Sequence, residues 1–552
     1  MTDTQNTVFT PARRFWSMLS QFKIELRQIY AYAIFNGIVN LTLPLGIQAI
    51  INFIQMGELT SSWVVLVCFV LLGITISGTL QVLQLRIVEN IQQALFARSA
   101  FEFAFRLPKI SFIQLDKVHA PELVNRFFDT LTIQKGLPKI LIDFSLAAFQ
   151  ITFGLVLLAI YSPYFIILGI ALVFVLALIF RVTGPNGLST SLQESKFKYK
   201  LAHWLEEVAR VNRSFKLNAA TQFHLTRSDS IVVDYLSARE NHFQVLINQF
   251  RLFIGFKVFV AAGLLLLGGY LVFQEQMNLG QFVAAEIIII LIINSVEKIL
   301  RSIDTIYDVL TALEKIGYVT DLGLDNGYGH AVIEDESALS IRANSLLFGF
   351  PDEKRKIINN LSFDIPANAR VVLSGKSGSG KTLLLQIMAG IHKVQEGELF
   401  INGIPFGSYD RDRLYERLGV AFPTNQIFEG TFKENILMGR MISGKRLTEI
   451  TQLLGLNEYF AHQPKGIDSF VDSGGRRLPR SIIQRLLIAR IIVGNPSLLL
   501  MEDPLQFVEV EEKKRIIDYL MDPERNWTVL VVSDFYYWKE KSTQLLELKK
   551  TV

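Results

Sequence analysis

Six stretches of this 552-residue chain are each long and apolar enough to cross a lipid bilayer, which limits the fold more than any other feature. A spanning helix needs about 20 mostly apolar residues, because hydrocarbon offers its backbone no partner outside the segment. The stretches are approximately Gln28–Ile54, Trp63–Leu83, Leu137–Tyr161, Tyr164–Val182, Phe250–Phe273 and Gly280–Ile299. Composition points the same way. Half of the residues (50%) are hydrophobic, 19% are charged and mean hydropathy is +0.33, too apolar for an ordinary soluble enzyme. The formal net charge of +4 is a mild excess of the kind membrane proteins carry in cytoplasmic loops, so no nucleic-acid partner is needed to explain it. The one cysteine, Cys68, excludes an internal disulfide framework, a multi-cysteine zinc site and an iron–sulfur cluster.

The segments between spans alternate short and long. The short ones, at 55–62, 161–163 and 274–280, contain no Lys or Arg. The long ones, about 84–136 and 183–249, are rich in both, and Arg13, Arg14, Lys23 and Arg27 precede the first span. The positive-inside rule then puts both termini and both long segments of this multi-pass chain in the cytoplasm. No apolar core follows the charges of MTDTQNTVFTPARRFW, so it does not read as a signal peptide. Helical patterning without Pro or Gly, as in LQLRIVENIQQALFARSAFEFAFRL, carries the membrane helices onward into the cytoplasm. Leu115–Asp129 is expected to form the far tip of the first extension, and Lys200–Thr221 to contain the second. Two charges fall inside spans. The reading adopted is that Lys257 snorkels toward the cytoplasm and Glu286 sits near the outer end of its helix.

Past the membrane region, at 1–320, a polar, Gly-rich linker at 321–338 leads to a domain at 339–552 of different character. The strand-like run ARVVLS enters GKSGSGKT, residues Gly375–Thr382, and LLLQIMAG continues as a helix. This is the P-loop pattern in its required strand-to-helix setting. Gly375, Ser377, Gly378, Ser379 and Gly380 let backbone N–H groups close around phosphate oxygens, assisted by the helix N-terminus. Lys381 reaches toward the β- and γ-phosphates and Thr382 offers its hydroxyl to magnesium, so ATP and Mg2+ are the expected cofactors.

With six spans and this P-loop, the chain resembles one half-transporter of the ATP-binding-cassette (ABC) exporters over nearly its whole length. The resemblance implies an all-α, six-helix exporter domain (the type IV exporter fold) followed by an α/β P-loop ATPase domain. APELVNRFFDTLTI and GGYLVFQEQMNLGQFVAAEI are most similar to the type I secretion and bacteriocin-export branch. With about 27 residues ahead of the first span, the N-terminal peptidase domain common in that branch is not expected here. The family implies a homodimer, or a heterodimer with another half-transporter, with two ATPs each held between one P-loop and the other cassette's signature segment. Membrane lipid, a periplasmic adaptor and an outer-membrane channel complete the expected partners.

Matched residue by residue, the cassette motifs are uneven. Phe350 stands where an aromatic stacks on adenine. Registering on FEGT places Pro423 where the family has a Gln that serves magnesium and the attacking water; Asn425 and Gln426 are near but out of register. The signature segment reads Leu478-Pro479-Arg480-Ser481-Ile482, and SGGR at Ser473–Arg476 reads as a turn ahead of it. In LLLMEDP, Glu502 takes the magnesium-ligand place and Asp503 the general-base place. Asp503 is one methylene shorter than the usual Glu, and misplacement by about 1 Å can cost roughly 100-fold in rate. Asp534 occupies the position of the switch His, where a carboxylate repels a γ-phosphate. The expectation is an exporter-like half-transporter that binds ATP and hydrolyses it poorly or not at all. The alternatives are a nucleotide-binding membrane scaffold in a larger envelope assembly, and a conventional ATP-driven exporter.

Overall fold

A computed structural model describes residues 10–56, 61–115, 118, 120–218, 221–325, 329–333, 337–350, 355–424 and 426–549. The chain divides into two units, one formed by Met1–Pro108 with Val118–Leu322, the other by Lys109–Lys117 with Gly323–Val552.

The first unit is helical. Its elements are α1 (Pro11–Leu19), α2 (Lys23–Val39), α3 (Thr42–Met56), α4 (Ser61–Arg106), α6 (Ala120–Asn125), α7 (Asp129–Pro138), α8 (Phe144–Tyr161), α9 (Tyr164–Arg210), α10 (Asn212–Asn218), α11 (Phe223–Phe273) and α12 (Leu279–Thr320); the short α5 (Phe112–Leu115) belongs to the second unit. Six helical segments are long and apolar enough to span a membrane. The first is broken at Asn40–Leu41, between α2 and α3. Pro44 accounts for the break, since its ring clashes with the carbonyl four residues back, that of Asn40. Asn40 and Asn36 instead receive the Ser77 hydroxyl of α4, at 3.0 and 2.7 Å. The third segment passes from α7 to α8 through a wider π turn at Lys139–Asp143, directly after Pro138. The helices α4, α9 and α11 run 46, 47 and 51 residues, well beyond a bilayer's thickness.

The far tips fall close to expectation at one end and earlier at the other. The second tip lies between Arg210 and Phe223, around α10. In the first, α4 stops at Arg106 rather than running to Leu115, because Pro108 ends the helix two residues on. Lys257 does not simply snorkel. Its Nζ lies 2.9 Å from Glu297 Oε2, and Glu297 also takes Arg301, so the charge on α11 is answered from α12. Glu286 is half-buried.

The second unit has strands β1 (Ile341–Phe348), β2 (Ile358–Ile365), β3 (Arg370–Gly375), β4 (Glu396–Ile401), β5 (Ile404–Pro405), β6 (Leu418–Ala421), β7 (Gly430–Thr431), β8 (Phe470–Val471), β9 (Leu498–Glu502), β10 (Thr528–Val532) and β11 (Gln544–Leu548). Its helices are α13 (Lys381–Met388), α14 (Arg411–Glu416), α15 (Phe432–Leu437), α16 (Gly444–Leu453), α17 (Leu456–Ala461), α18 (Arg480–Ile492), α19 (Val510–Met521) and α20 (Tyr536–Glu540). A parallel sheet in the order β11-β3-β10-β9-β6 forms the centre, flanked by an antiparallel sheet in the order β2-β1-β4-β5. The central strands read VVL, LLLM and VLV and are buried on both faces, as parallel strands covered on two sides must be. Arg370 anchors the start of β3 from inside. Its buried guanidinium donates to the carbonyls of Asn368 (2.9 Å), Arg525 (2.9 Å), Asp522 (2.5 Å) and Trp527.

Candidate nucleotide site

The parallel strands β3, β9 and β10 end side by side, with β9 and β10 in register from Thr528↔Leu498 to Val532↔Glu502. The loops that leave these ends carry the chemistry, as they do where ligands bind open α/β sheets.

β3 leads into the phosphate loop, where two glycines are required by geometry. Gly375 has φ +152°, and a Cβ there would stand 2.6 Å from the Leu548 carbonyl oxygen. Gly380, at φ +90°, turns the chain into the N-terminus of α13. Lys381 Nζ donates to the Gly375 carbonyl at 2.8 Å, which sets the ammonium at the mouth of its own loop. Ser377 and Gly378 are exposed on the loop, and Ser379 is buried with its Oγ unpartnered.

Thr382, on the first turn of α13, donates its hydroxyl to Glu502 Oε1 at the end of β9. The second carboxylate oxygen, Glu502 Oε2, is buried and has no partner. An orphaned carboxylate oxygen beside a threonine hydroxyl suits a hard, oxygen-seeking cation such as Mg2+. Among the described residues no group of three or more His, Cys, Asp or Glu could hold a metal by itself. Thr382 and Glu502 are the residues that would hold a Mg2+ ion, whose chemistry there would be to neutralise phosphate charge.

Asp503 leaves the sheet in the left-handed region, at φ +40°, a conformation Asp tolerates better than most residues. Its N–H donates to the Val532 carbonyl at 2.8 Å, and its own carbonyl accepts from Gln484 Nε2 at 3.4 Å. Gln484 Oε1 accepts the Phe507 N–H at 2.8 Å. Gln484 therefore grips both ends of the turn from α18, a role that nothing in the sequence marks. A cavity of about 160 Å3 is walled by Pro423, Arg480, Gln484, Glu502, Asp503 and Phe507, so the structure brings Pro423, Arg480 and Asp503 together.

Pro479 caps the N-terminus of α18 without a side-chain hydrogen bond. Arg480, on its first turn, lays its guanidinium 4.9 Å from the centre of the Phe507 ring. Ser473–Gly475 forms a separate tight turn ahead of α18, with Gly474 donating to the Ile427 carbonyl. Asp534 lies two residues past β10, exposed. Asn425 lies outside the described residues; Gln426 is described, and its carbonyl receives Arg490 at 3.0 Å. Phe350 is half-buried, with edge-on contacts to Phe348 (5.5 Å) and His392 (5.8 Å). His392 is not legible in the sequence, because the strands and helix separating it from Phe350 hide the proximity.

These features define a membrane protein with a P-loop nucleotide cassette. Residues 29–296 match the model of the ABC transporter transmembrane region, and residues 358–506 match that of the ABC transporter cassette. The chain belongs to the ABC transporters, as a half-transporter of exporter architecture. A bacterial Atm1-family ABC exporter solved with ATP bound superposes with a TM-score of 0.82 over 96% of this chain and 94% of that one, at 18% identity, which establishes the fold. The glutathione/L-cysteine transport system ATP-binding/permease protein CydC of Haemophilus influenzae is 27% identical over 35% of this chain and 34% of its own length. The mitochondrial iron-sulfur clusters transporter ATM1 of Candida glabrata is 27% identical over 34% of this chain and 26% of its own. The chain thus spans about a third or less of the length of these two curated relatives.

Proposed function

We propose that this half-transporter binds ATP, works in export across the bacterial inner membrane, and cleaves the nucleotide slowly if at all. The Thr382–Glu502 pair beside a complete P-loop carries the binding half of the reading. The hydrolytic half rests on what stands around it: Pro423 at the Gln position, Pro479 and Arg480 in the signature, Asp503 for the base and Asp534 for the switch His. A proline has no side-chain oxygen to orient water. In a homodimer both sites would carry all of these changes.

A second reading, a conventional ATP-driven exporter, is favoured by the fold's full match to an ATP-bound exporter and by the relatives' descriptions as transporters. For cargo, the resemblance to the secretion branch favours a polypeptide, with an adaptor and outer-membrane channel as partners. The relatives' named cargoes favour a small thiol compound or a metal cluster instead. Phosphate release by the purified full-length protein in lipid separates the two readings of hydrolysis. Turnover below about 1 s⁻¹ supports impaired cleavage, and faster turnover overturns it in favour of the conventional exporter. Asp503→Glu combined with Asp534→His should raise the rate about tenfold or more if those two carboxylates account for the loss. No gain would place the loss at Pro423 and the signature.

A further inference from the structure

The side of α1 facing the bundle has no part in nucleotide chemistry, yet it is built around a hole. Ala12, Phe15, Trp16 and Leu19 fall on one face of the helix, at the i, i+3, i+4, i+7 spacing. Phe15 and Leu19 are buried, but the large apolar ring of Trp16 is 60% exposed. Between this face and α2, α8 and α12 lies a cavity of about 280 Å3 whose walls are apolar apart from the Tyr30 hydroxyl. A second apolar cavity of about 250 Å3 adjoins it, sharing Phe144 and Ile306 and reaching Gly184 and Tyr307. Together they form a crevice suited to one flexible hydrocarbon chain.

Three cations stand close in sequence to residues that line the cavity, though none of them lines it. Arg13 follows Ala12 on α1, Arg27 stands one turn before Tyr30 on α2, and Lys139 precedes Ile140 at the start of the π turn; all three are exposed. Lys139 Nζ donates to Thr305 Oγ1 at 3.2 Å, next to Ile306 of the crevice wall. The acids of these elements are Glu25 on α2, Asp143 at the end of the π turn, and Glu286, Glu297, Asp304, Asp308 and Glu314 on α12. Asp304 is engaged by His242 on α11. The first and third apolar stretches begin near Gln28 and Leu137 and the sixth ends near Ile299, which is where a water boundary is expected, and an exposed indole is the side chain that settles at one.

We propose that this crevice holds one acyl chain of an anionic phospholipid from the surrounding membrane, with the lipid phosphate on Arg27 and Lys139, assisted by Arg13. An apolar slot with cations nearby selects a ligand with a hydrocarbon tail and a negative head, and the bilayer supplies that ligand.

The test uses Trp16 as the reporter. The full-length protein in neutral detergent is titrated with dibrominated phosphatidylglycerol or dibrominated phosphatidylcholine while tryptophan fluorescence is followed. The Trp16→Phe protein supplies the background from the other indoles. The Trp16 component should saturate, with phosphatidylglycerol half-effective at about tenfold lower mole fraction than phosphatidylcholine. Arg27→Gln with Lys139→Gln should erase that preference, and Ala12→Phe, which fills the mouth of the crevice, should abolish saturable quenching by both lipids. Quenching that never saturates means ordinary annular contact and overturns the proposal. Equal potency of the two lipids, or of a brominated free fatty acid, overturns it as well. So does unchanged saturable quenching in Ala12→Phe. If that variant fails to fold, the charge-altered protein still tests the site, because a lipid preference that survives the loss of both cations overturns the proposal by itself.

Discussion

Lys381 is held by backbone oxygens, those of Gly375 and Lys376, rather than by an acid. An ammonium satisfied by neutral carbonyls can exchange them for phosphate oxygens without leaving a charge unpaired. Lys381→Ala should therefore weaken binding of a fluorescent ATP analogue by about tenfold to a hundredfold, the range for a lost charge-assisted hydrogen bond. Gln484 is a different case, because it acts on the turn and not on the nucleotide. Gln484→Leu leaves the Phe507 N–H without its acceptor, so hydrogen exchange at that amide should accelerate, at a cost of about 1 kcal/mol in cassette stability. Unchanged exchange would show that the turn holds itself. The P-loop is legible because its eight residues are contiguous and each has a fixed task. Gln484 is not, since its two partners lie 19 and 23 positions away, across a helix and a strand. Glu297 escapes for a similar reason: Lys257 meets it 40 residues on, through the pairing of α11 with α12, which no local pattern announces.

At the level of elements, periodicity and breakers explain most of what can be read. Long apolar runs mark the spans, and the strand-to-helix setting of the P-loop marks β3 and α13. The departures sit at prolines. Pro108 stops α4 at Arg106, ahead of the tip expected within Leu115–Asp129, Pro44 divides the first span, and Pro138 precedes the π turn. The placement of β3 also depends on a residue that sequence patterning would put on the surface. Arg370 is 1% exposed and satisfies carbonyls on either side of the turn before β10, while burial pulls its guanidinium below the ordinary arginine range. Arg370→Met keeps the volume but orphans those carbonyls, so the cassette should lose about 3 kcal/mol or more in a denaturant titration. A loss under about 1 kcal/mol would mean that water replaces the guanidinium at little cost.

For the whole molecule, two units with separate cores imply two unfolding transitions. ATP at 100 times its dissociation constant adds about 2.7 kcal/mol to whichever unit binds it. In calorimetry of the detergent-solubilised protein, ATP with Mg2+ should raise one transition, and that shift should vanish in Lys381→Ala. Movement of both transitions together would mean that the units unfold as one.

One detail of the chain's path bears on how it can be divided. Lys109–Lys117 is counted with the cassette although more than 200 residues separate it from the rest of that unit. Ile110 bridges Leu324, Ser111 donates to the Gly323 carbonyl at 3.0 Å, Lys109 accepts the Asp325 N–H at its carbonyl, and its ammonium meets Asp412 at 2.7 Å. A protease or a gene truncation acting near residue 323 would therefore not release the cassette whole. The excised piece would keep its nucleotide loop but carry an uncovered edge at Gly323–Asp325, with Asp412 stripped of its counter-ion. Supplying a 109–115 peptide in trans would be the natural way to restore it.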